Sequence, residues 1–124
     1  MKTKKILRFY FSAGSLEEAF DNLIISKACA PFADGLETAE RLCGVIGDKI
    51  QLERLWAYLD GVVSGLSEEE RDTLLKYSAR GTTVKSDDKA VKRAVIKFMR
   101  RAHRLEEFEE DIAVLNNYYC LIKV

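Results

Sequence analysis

Apolar residues recur at helical spacing along most of the chain. Leu16, Ala19, Phe20, Leu23 and Ile24 fall on one face behind Ser15-Leu16-Glu17-Glu18, where Ser15 and Glu18 hold the two capping-box positions. This predicts a helix opening at Ser15 and stopped by Pro31. Asp34, with Glu37 three residues on, predicts the cap of a second helix whose apolar face is Leu36, Ala39, Leu42, Cys43 and Ile46. Gly44 and Gly47 predict a kink or break there. The period resumes through Leu52, Leu55, Trp56, Leu59, Val62, Val63 and Leu66, with Gly65 as the stop.

Ser67-Glu68-Glu69-Glu70 is a second capping-box match, and its acids suit the positive end of a helix dipole. Leu74, Leu75 and Ser78 mark the inner face of that helix, and Gly81 fits a left-handed cap after it. Thr82 to Ser86 reads as a loop. From Thr82 onward there is neither Gly nor Pro, and Ser86 or Asp87 is placed to cap a long helix. Its stripe runs Val91, Val95, Phe98, Ala102, Leu105, Phe108, Ile112, Leu115, Tyr119 and Ile122. Two successive steps of three, Ala102 to Leu105 to Phe108, signal a stammer or the junction of two helices. The stripe serves either the packing of a bundle or a dimeric coiled-coil seam. Ile6 to Phe11 and Tyr118 to Val124 are rich in β-formers and offer a small two-stranded sheet as an alternative for the chain ends. The fold predicted is all-α: a compact bundle of four or five helices in a single domain over residues 1–124, with the longest helix near the C-terminus.

Composition agrees with a globular chain. Its 124 residues are 48% hydrophobic and 32% charged, enough to form one core without staples. Lys+Arg and Asp+Glu are 20 each, which excludes a strongly basic or acidic chain as a whole. No apolar run reaches the ~20 residues of a membrane span, and Arg8 interrupts the one apolar run near the N-terminus. Cys29, Cys43 and Cys120 are odd in number and lack metal or disulfide-framework spacing. They read as small buried thiols in a reducing compartment, with the cytoplasm as the default location.

Catalytic chemistry finds little to work with. The lone histidine, His103, sits among Arg100, Arg101 and Arg104, which disfavour its cationic form, and no neighbouring acid orients it. Glu37 with Glu40, and Glu106 with Glu110, share helical faces without the Glu-x-x-His pairs of a di-iron site. Gly44-Val45-Ile46-Gly47 has the GXXG spacing of a KH loop, which needs flanking strands where the flanks here are helical in period. No enzyme, cofactor or metal is predicted. Trp56 shares a face with Leu52 and Leu59 and reads as core, Tyr58 points elsewhere, and one of Tyr118 and Tyr119 is a candidate interface contact.

The strongest pattern is charge. Lys89, Arg93, Lys97, Arg100 and Arg104 are spaced by four, four, three and four, a row of cations along one side of a helix beside the apolar stripe. Such a row meets phosphates, an acidic protein face, or the chain's own acids at Glu68 to Glu70 and Glu106 to Asp111. The first reading is a non-catalytic binding or adaptor protein acting on a protein partner or on a second copy of itself. The alternative is a nucleic-acid-binding transcription regulator using the basic helix 85–104.

Leu66-Ser67-Glu68-Glu69-Glu70-Arg71, followed by Tyr77 to Gly81, resembles the opening helix of the C-terminal DNA-binding region of bacterial sigma factors and of similarly built phage late-gene regulators. Lys92-Arg93-Ala94 through Arg100-Arg101-Ala102 is similar to the basic closing helix of that module. The resemblance spans about residues 66–104 and implies DNA binding. It departs from the pattern between Gly81 and Ala90, where eight residues stand in place of the further helix and turn of a helix-turn-helix.

Overall fold

The computed structural model describes residues 2–28, 35–79 and 88–121. Among them there are six α-helices, two short 3-10 turns and no strand. They are α1 (Lys2–Phe11), α2 (Ala13–Ala28), α3 (Gly35–Ser64), α4 (Glu68–Ser78), α5 (Lys89–Arg101) and α6 (Glu109–Tyr118), with 3-10 turns at Leu105–Phe108 and Tyr119–Leu121. The fold is the all-α bundle expected, with six helices among the described residues where four or five were predicted, because the segment Ile6 to Phe11 is helical and the C-terminal stripe is split in two. The longest helix is not near the C-terminus, however. It is α3, with 30 residues and about 45 Å of length.

α2 and α6 both lie along α3, α4 pairs with α5, and α1 packs on α4 and α3. One cluster of buried side chains joins them, including Ile6 and Leu7 of α1, Phe20 of α2, Leu55, Leu59 and Val63 of α3, Leu74 of α4, Phe98 of α5 and Leu115 of α6. Each such side chain contributes about 1.5–3 kcal/mol relative to its exposed state. No helix of the described residues is long and apolar enough to cross a membrane.

Several local expectations change. Ile6 to Phe11 is helical, not strand, because Ile6, Leu7 and Phe9 bury together on α1. The last residues, 122–124, lie outside the described set, and Tyr119–Leu121 is a 3-10 turn. Ser15 does not cap α2. The helix starts at Ala13, and a turn at Ser12 links it to α1, with Leu16 N–H donating to the Ser12 carbonyl at 3.1 Å. The capping reading of Asp34, the stop at Pro31, the loop from Thr82 to Ser86 and the cap at Gly81 lie outside the described residues.

Gly44 and Gly47 do not break α3, which runs through both. Their outer sides are open, and the cost of about 1 kcal/mol for each interior glycine is offset by burial of Val45, Leu52 and Leu55 on the same helix. Ile46 stays exposed, and so do Ala39 and Cys43. α3 does end at Ser64, and Gly65, the expected stop, makes room there for an arginine from the end of α5. A Cβ there would fall within the guanidinium of Arg101, whose Nε donates to the Val62 carbonyl at 3.1 Å. Arg8 does the same for α4, donating from Nε to the Ser78 carbonyl at 2.9 Å. Two arginines from distant elements thus satisfy carbonyls at helix C-termini.

Ser67 caps α4 with both capping-box bonds: Glu70 N–H donates to Ser67 Oγ at 3.2 Å, and Ser67 N–H donates to Glu70 Oε1 at 2.9 Å. The inner face of α4 is Leu74 with Tyr77 and Ser78, three and four residues after it, and Leu75 turns out to solvent. α5 is capped one or two residues later than expected, by Asp88, whose Oδ1 accepts from Ala90 N–H at 2.8 Å.

The apolar stripe of the C-terminal third breaks at its two steps of three. Ala102 to Leu105 to Phe108 is the period of a 3-10 helix, and a 3-10 turn is what forms. The break lets α5 pack on α4 while α6 packs on α3. From Val91 to Tyr119 the stripe is buried or half-buried in the chain's own core, so it is not a coiled-coil seam. Ile122 is outside the described residues.

Candidate functional site

The five cations of the predicted row do not share one fate. Lys97 donates to Glu70 Oε1 at 2.9 Å, which ties α5 to the first turn of α4. The two capping bonds and Lys97 hold the Glu70 carboxyl down at about 2, with the Ser67 backbone bond the largest cause. Arg104 falls beyond the end of α5 and pairs with Glu107 at 2.9 Å. Its backbone N–H donates to the Tyr58 hydroxyl at 3.1 Å.

Lys89, Arg93 and Arg100 remain on α5, exposed and without an ion-pair partner among the described residues. At 100° per residue they fall within an arc of about 40° on the outward side of the helix. Lys92, also exposed, stands beside them. Sequence reasoning missed what lies between these cations. Ile96 is 50% exposed and Met99 is 55% exposed, two large apolar side chains in a basic field. The signal was present, since both fall off the Val91–Phe98 stripe and so have no place in the core. The outward face of α5 is therefore mixed, with Ile96 among the cations and Met99 at their edge.

The face runs into a groove at the C-terminal end of α5. Met99, His103, Glu106 and Glu109 line it above Ile6 and Phe98, enclosing about 300 Å³. The Thr3 hydroxyl donates to Met99 Sδ at 3.9 Å across its edge. A second, wider groove of about 720 Å³ adjoins it at Ile6 and Glu109 and adds Lys5, Glu110, Ile112 and Asn116. Lys89 to Arg100 is thus a basic stretch, and Glu106 to Glu110 beside it is acidic. His103 is exposed and, among the described residues, no group of three or more His, Cys, Asp or Glu could hold a metal.

Other candidates are absorbed by the fold. Trp56 is half-buried, stacks on Tyr10 at 5.5 Å and donates from Nε1 to the Tyr10 carbonyl at 3.1 Å. Tyr58 stacks on Phe108 at 4.7 Å. Tyr118 and Tyr119 are both half-buried and bonded within the chain: the Tyr118 hydroxyl donates to Asp48 Oδ2 at 2.6 Å, and the Tyr119 hydroxyl accepts from Arg8 at 2.7 Å. Gly44 to Gly47 lies inside α3, where no KH-type loop exists. Cys43 and Cys120 are exposed free thiols, not buried ones, and Cys29 is outside the described residues.

One apolar pocket of about 250 Å³ opens between α2 and α3, floored by Phe9, Leu16, Phe20, Leu52 and Trp56. Its charged rim of Glu17, Lys49 and Glu53 is engaged internally at Lys49, which donates to Asp21 at 3.2 Å and has its pKa raised by that bond. No pair of polar groups converges at its floor, so it offers volume without chemistry.

Comparison with known proteins adds no relative to this geometry: no family model matches the chain, and neither a curated protein nor a solved structure does.

Proposed function

We propose that the chain is a non-catalytic docking module whose working surface is the outward face of α5, and that it binds a helical surface of a protein partner. The observation that carries this is the exposure of Ile96 and Met99, at 50% and 55%, beside the cations Lys89, Lys92, Arg93 and Arg100. A phosphate backbone gains nothing from two bare aliphatic side chains. A partner helix with apolar anchors, and with carboxylates at the end that meets Lys89, Lys92 and Arg93, covers both kinds of group at once. The test is fluorescence anisotropy with a stapled, acidic amphipathic helical peptide. Binding is expected to weaken with salt and to be lost in Ile96→Asp. Binding unchanged in that variant rejects the face.

A second reading, a nucleic-acid-binding regulator, is supported by the unpaired, exposed state of Lys89, Arg93 and Arg100 and by the likeness of residues 66–104 to sigma-factor modules. With Lys92 these cations offer four phosphate contacts, a log–log salt slope of about −3.6 on duplex DNA. Labelled duplex binding with that slope, abolished by glutamate at Lys89, Arg93 and Arg100, would favour it over the first.

A further inference from the structure

The surface that begins on α5 has an order along its length. Lys92, Ile96, Met99 and His103 follow one another at steps of four, three and four, a line down one side of the helix. Lys89, Lys92 and Arg93 make its first end basic. Ile96 and Met99 form the exposed apolar middle. At the far end Met99 shares a groove with Glu106 and Glu109. Lys92 stands about 10 Å along the helix axis from Met99 on one side, and the acids border Met99 on the other.

We infer that this face pairs with a second copy of the chain, α5 running antiparallel to α5 about a two-fold axis near Met99. The inference rests on reading α5 as a docking face, and it names the partner. An interface on a two-fold axis must be its own complement, because each patch meets the same patch turned around. A basic–apolar–acidic order along the Lys92–Ile96–Met99 line meets that condition, and Arg100, about 100° round the helix from Met99, lies at the rim of the contact in both copies. Rotation places the Lys89 and Lys92 end of one copy over the Glu106 and Glu109 end of the other, with the four apolar side chains meeting at the centre. A purely acidic partner long enough to cover Met99 would instead run onto Glu106 and Glu109, where like charges repel. The chain itself has 20 basic and 20 acidic residues, so two copies approach without net repulsion. Methionine at the centre adapts its unbranched side chain to a groove of this size. Two large apolar side chains per copy make a small contact, so the dimer is one that dissociates on dilution.

Sedimentation velocity from low to high micromolar concentration tests this. The wild-type chain is expected to shift from monomer to dimer with concentration, less so in high salt. Met99→Asp is expected to remain monomeric, with an unchanged circular dichroism spectrum because Met99 is exposed. The charge pattern gives a second, independent reading. Lys89→Glu with Lys92→Glu removes the dimer, and Glu106→Lys with Glu109→Lys removes it too. All four substitutions in one chain restore it, which a folding defect does not do. A wild-type chain that stays monomeric at every concentration overturns the pairing, as does a dimer indifferent to Met99→Asp or a four-fold variant that fails to re-associate. If the chain is monomeric and the acidic peptide still binds α5, only the self-pairing falls. If the peptide also fails, the docking face falls with it.

Discussion

Asp111 on α6 is fully buried, and its Oδ2 accepts from both Nε and Nη2 of Arg54 on α3, at 3.2 and 3.1 Å. The other carboxylate oxygen, Oδ1, is buried with no hydrogen-bond partner among the described residues. Arg54 spreads over the Phe108 ring at 5.4 Å and keeps about two-thirds of its side chain in solvent, 65% exposed. The pair clamps α6 to α3, with Asp111 in the first turn of α6.

Arg54→Ala leaves that carboxylate buried and unpaired and is expected to destabilise the fold by about 2–3 kcal/mol. Replacing both residues by leucine removes the charge with its partner and is expected to recover most of the loss. Urea denaturation of the two variants checks the order.

Glycine substitutions should divide by position. Gly65→Ala drives a methyl into the Arg101 guanidinium, costs the bond to the Val62 carbonyl and is expected to destabilise by about 1 kcal/mol. Combined with Arg101→Ala its cost should largely vanish, a coupling that a double-mutant cycle reads directly. Gly44→Ala, Gly47→Ala and Gly61→Ala meet open space inside α3 and are expected to stabilise by about 0.5–1 kcal/mol each, seen as higher denaturation midpoints.

Glu70 predicts the acid behaviour. Its folded pKa of about 2 lies below the ordinary 4.5, so its contribution is complete above pH 4.5 and disappears as pH falls toward 2. Glu70→Gln should therefore be less stable than wild type at neutral pH and should lose less on acidification. Denaturation midpoints measured across that interval read the convergence. Ser67→Ala removes the same cap from the other side and should cost about 1 kcal/mol at neutral pH.

Two tyrosines predict the alkaline behaviour. Burial, then the hydrogen bond to Asp48, pushes Tyr118 up to about 12, and burial with Asp60 does the same for Tyr10. The Tyr10 hydroxyl donates to Asp60 Oδ1 at 2.7 Å. Both folded pKa values lie above the ordinary 10, so the stability they contribute is present below pH 10 and is lost between 10 and 12. Tyr118→Phe with Tyr10→Phe should flatten the loss of stability over that range. An ultraviolet titration should show these two rings ionising near pH 12.

The candidate site divides along the same line as these predictions. Its cationic half was legible, because spacing along one helix decides which residues share a side, and Lys89, Arg93 and Arg100 do share one. Lys97 and Arg104 left the row for reasons that spacing cannot contain: Glu70 comes from another helix, and the helix stops before Arg104. The apolar half, Ile96 and Met99, was legible in principle as residues off the stripe, but their exposure depends on nothing packing over them.

The sequence by itself determined what neighbours in the chain decide. These are the all-α class, the Ser67 capping box, the buried face from Leu52 to Leu66 and the junction marked by Ala102, Leu105 and Phe108. Each depends on groups three or four residues apart, where helical geometry fixes who meets whom. The tertiary structure decided what distant segments supply. It kept α3 unbroken through Gly44 and Gly47, made Ile6 to Phe11 a helix, turned Arg8 and Arg101 into caps for α4 and α3, and buried Asp111 against Arg54. Those outcomes rest on contacts between residues about 40 to 70 positions apart, or on burial that offsets a weak local preference, and local propensity carries no record of either.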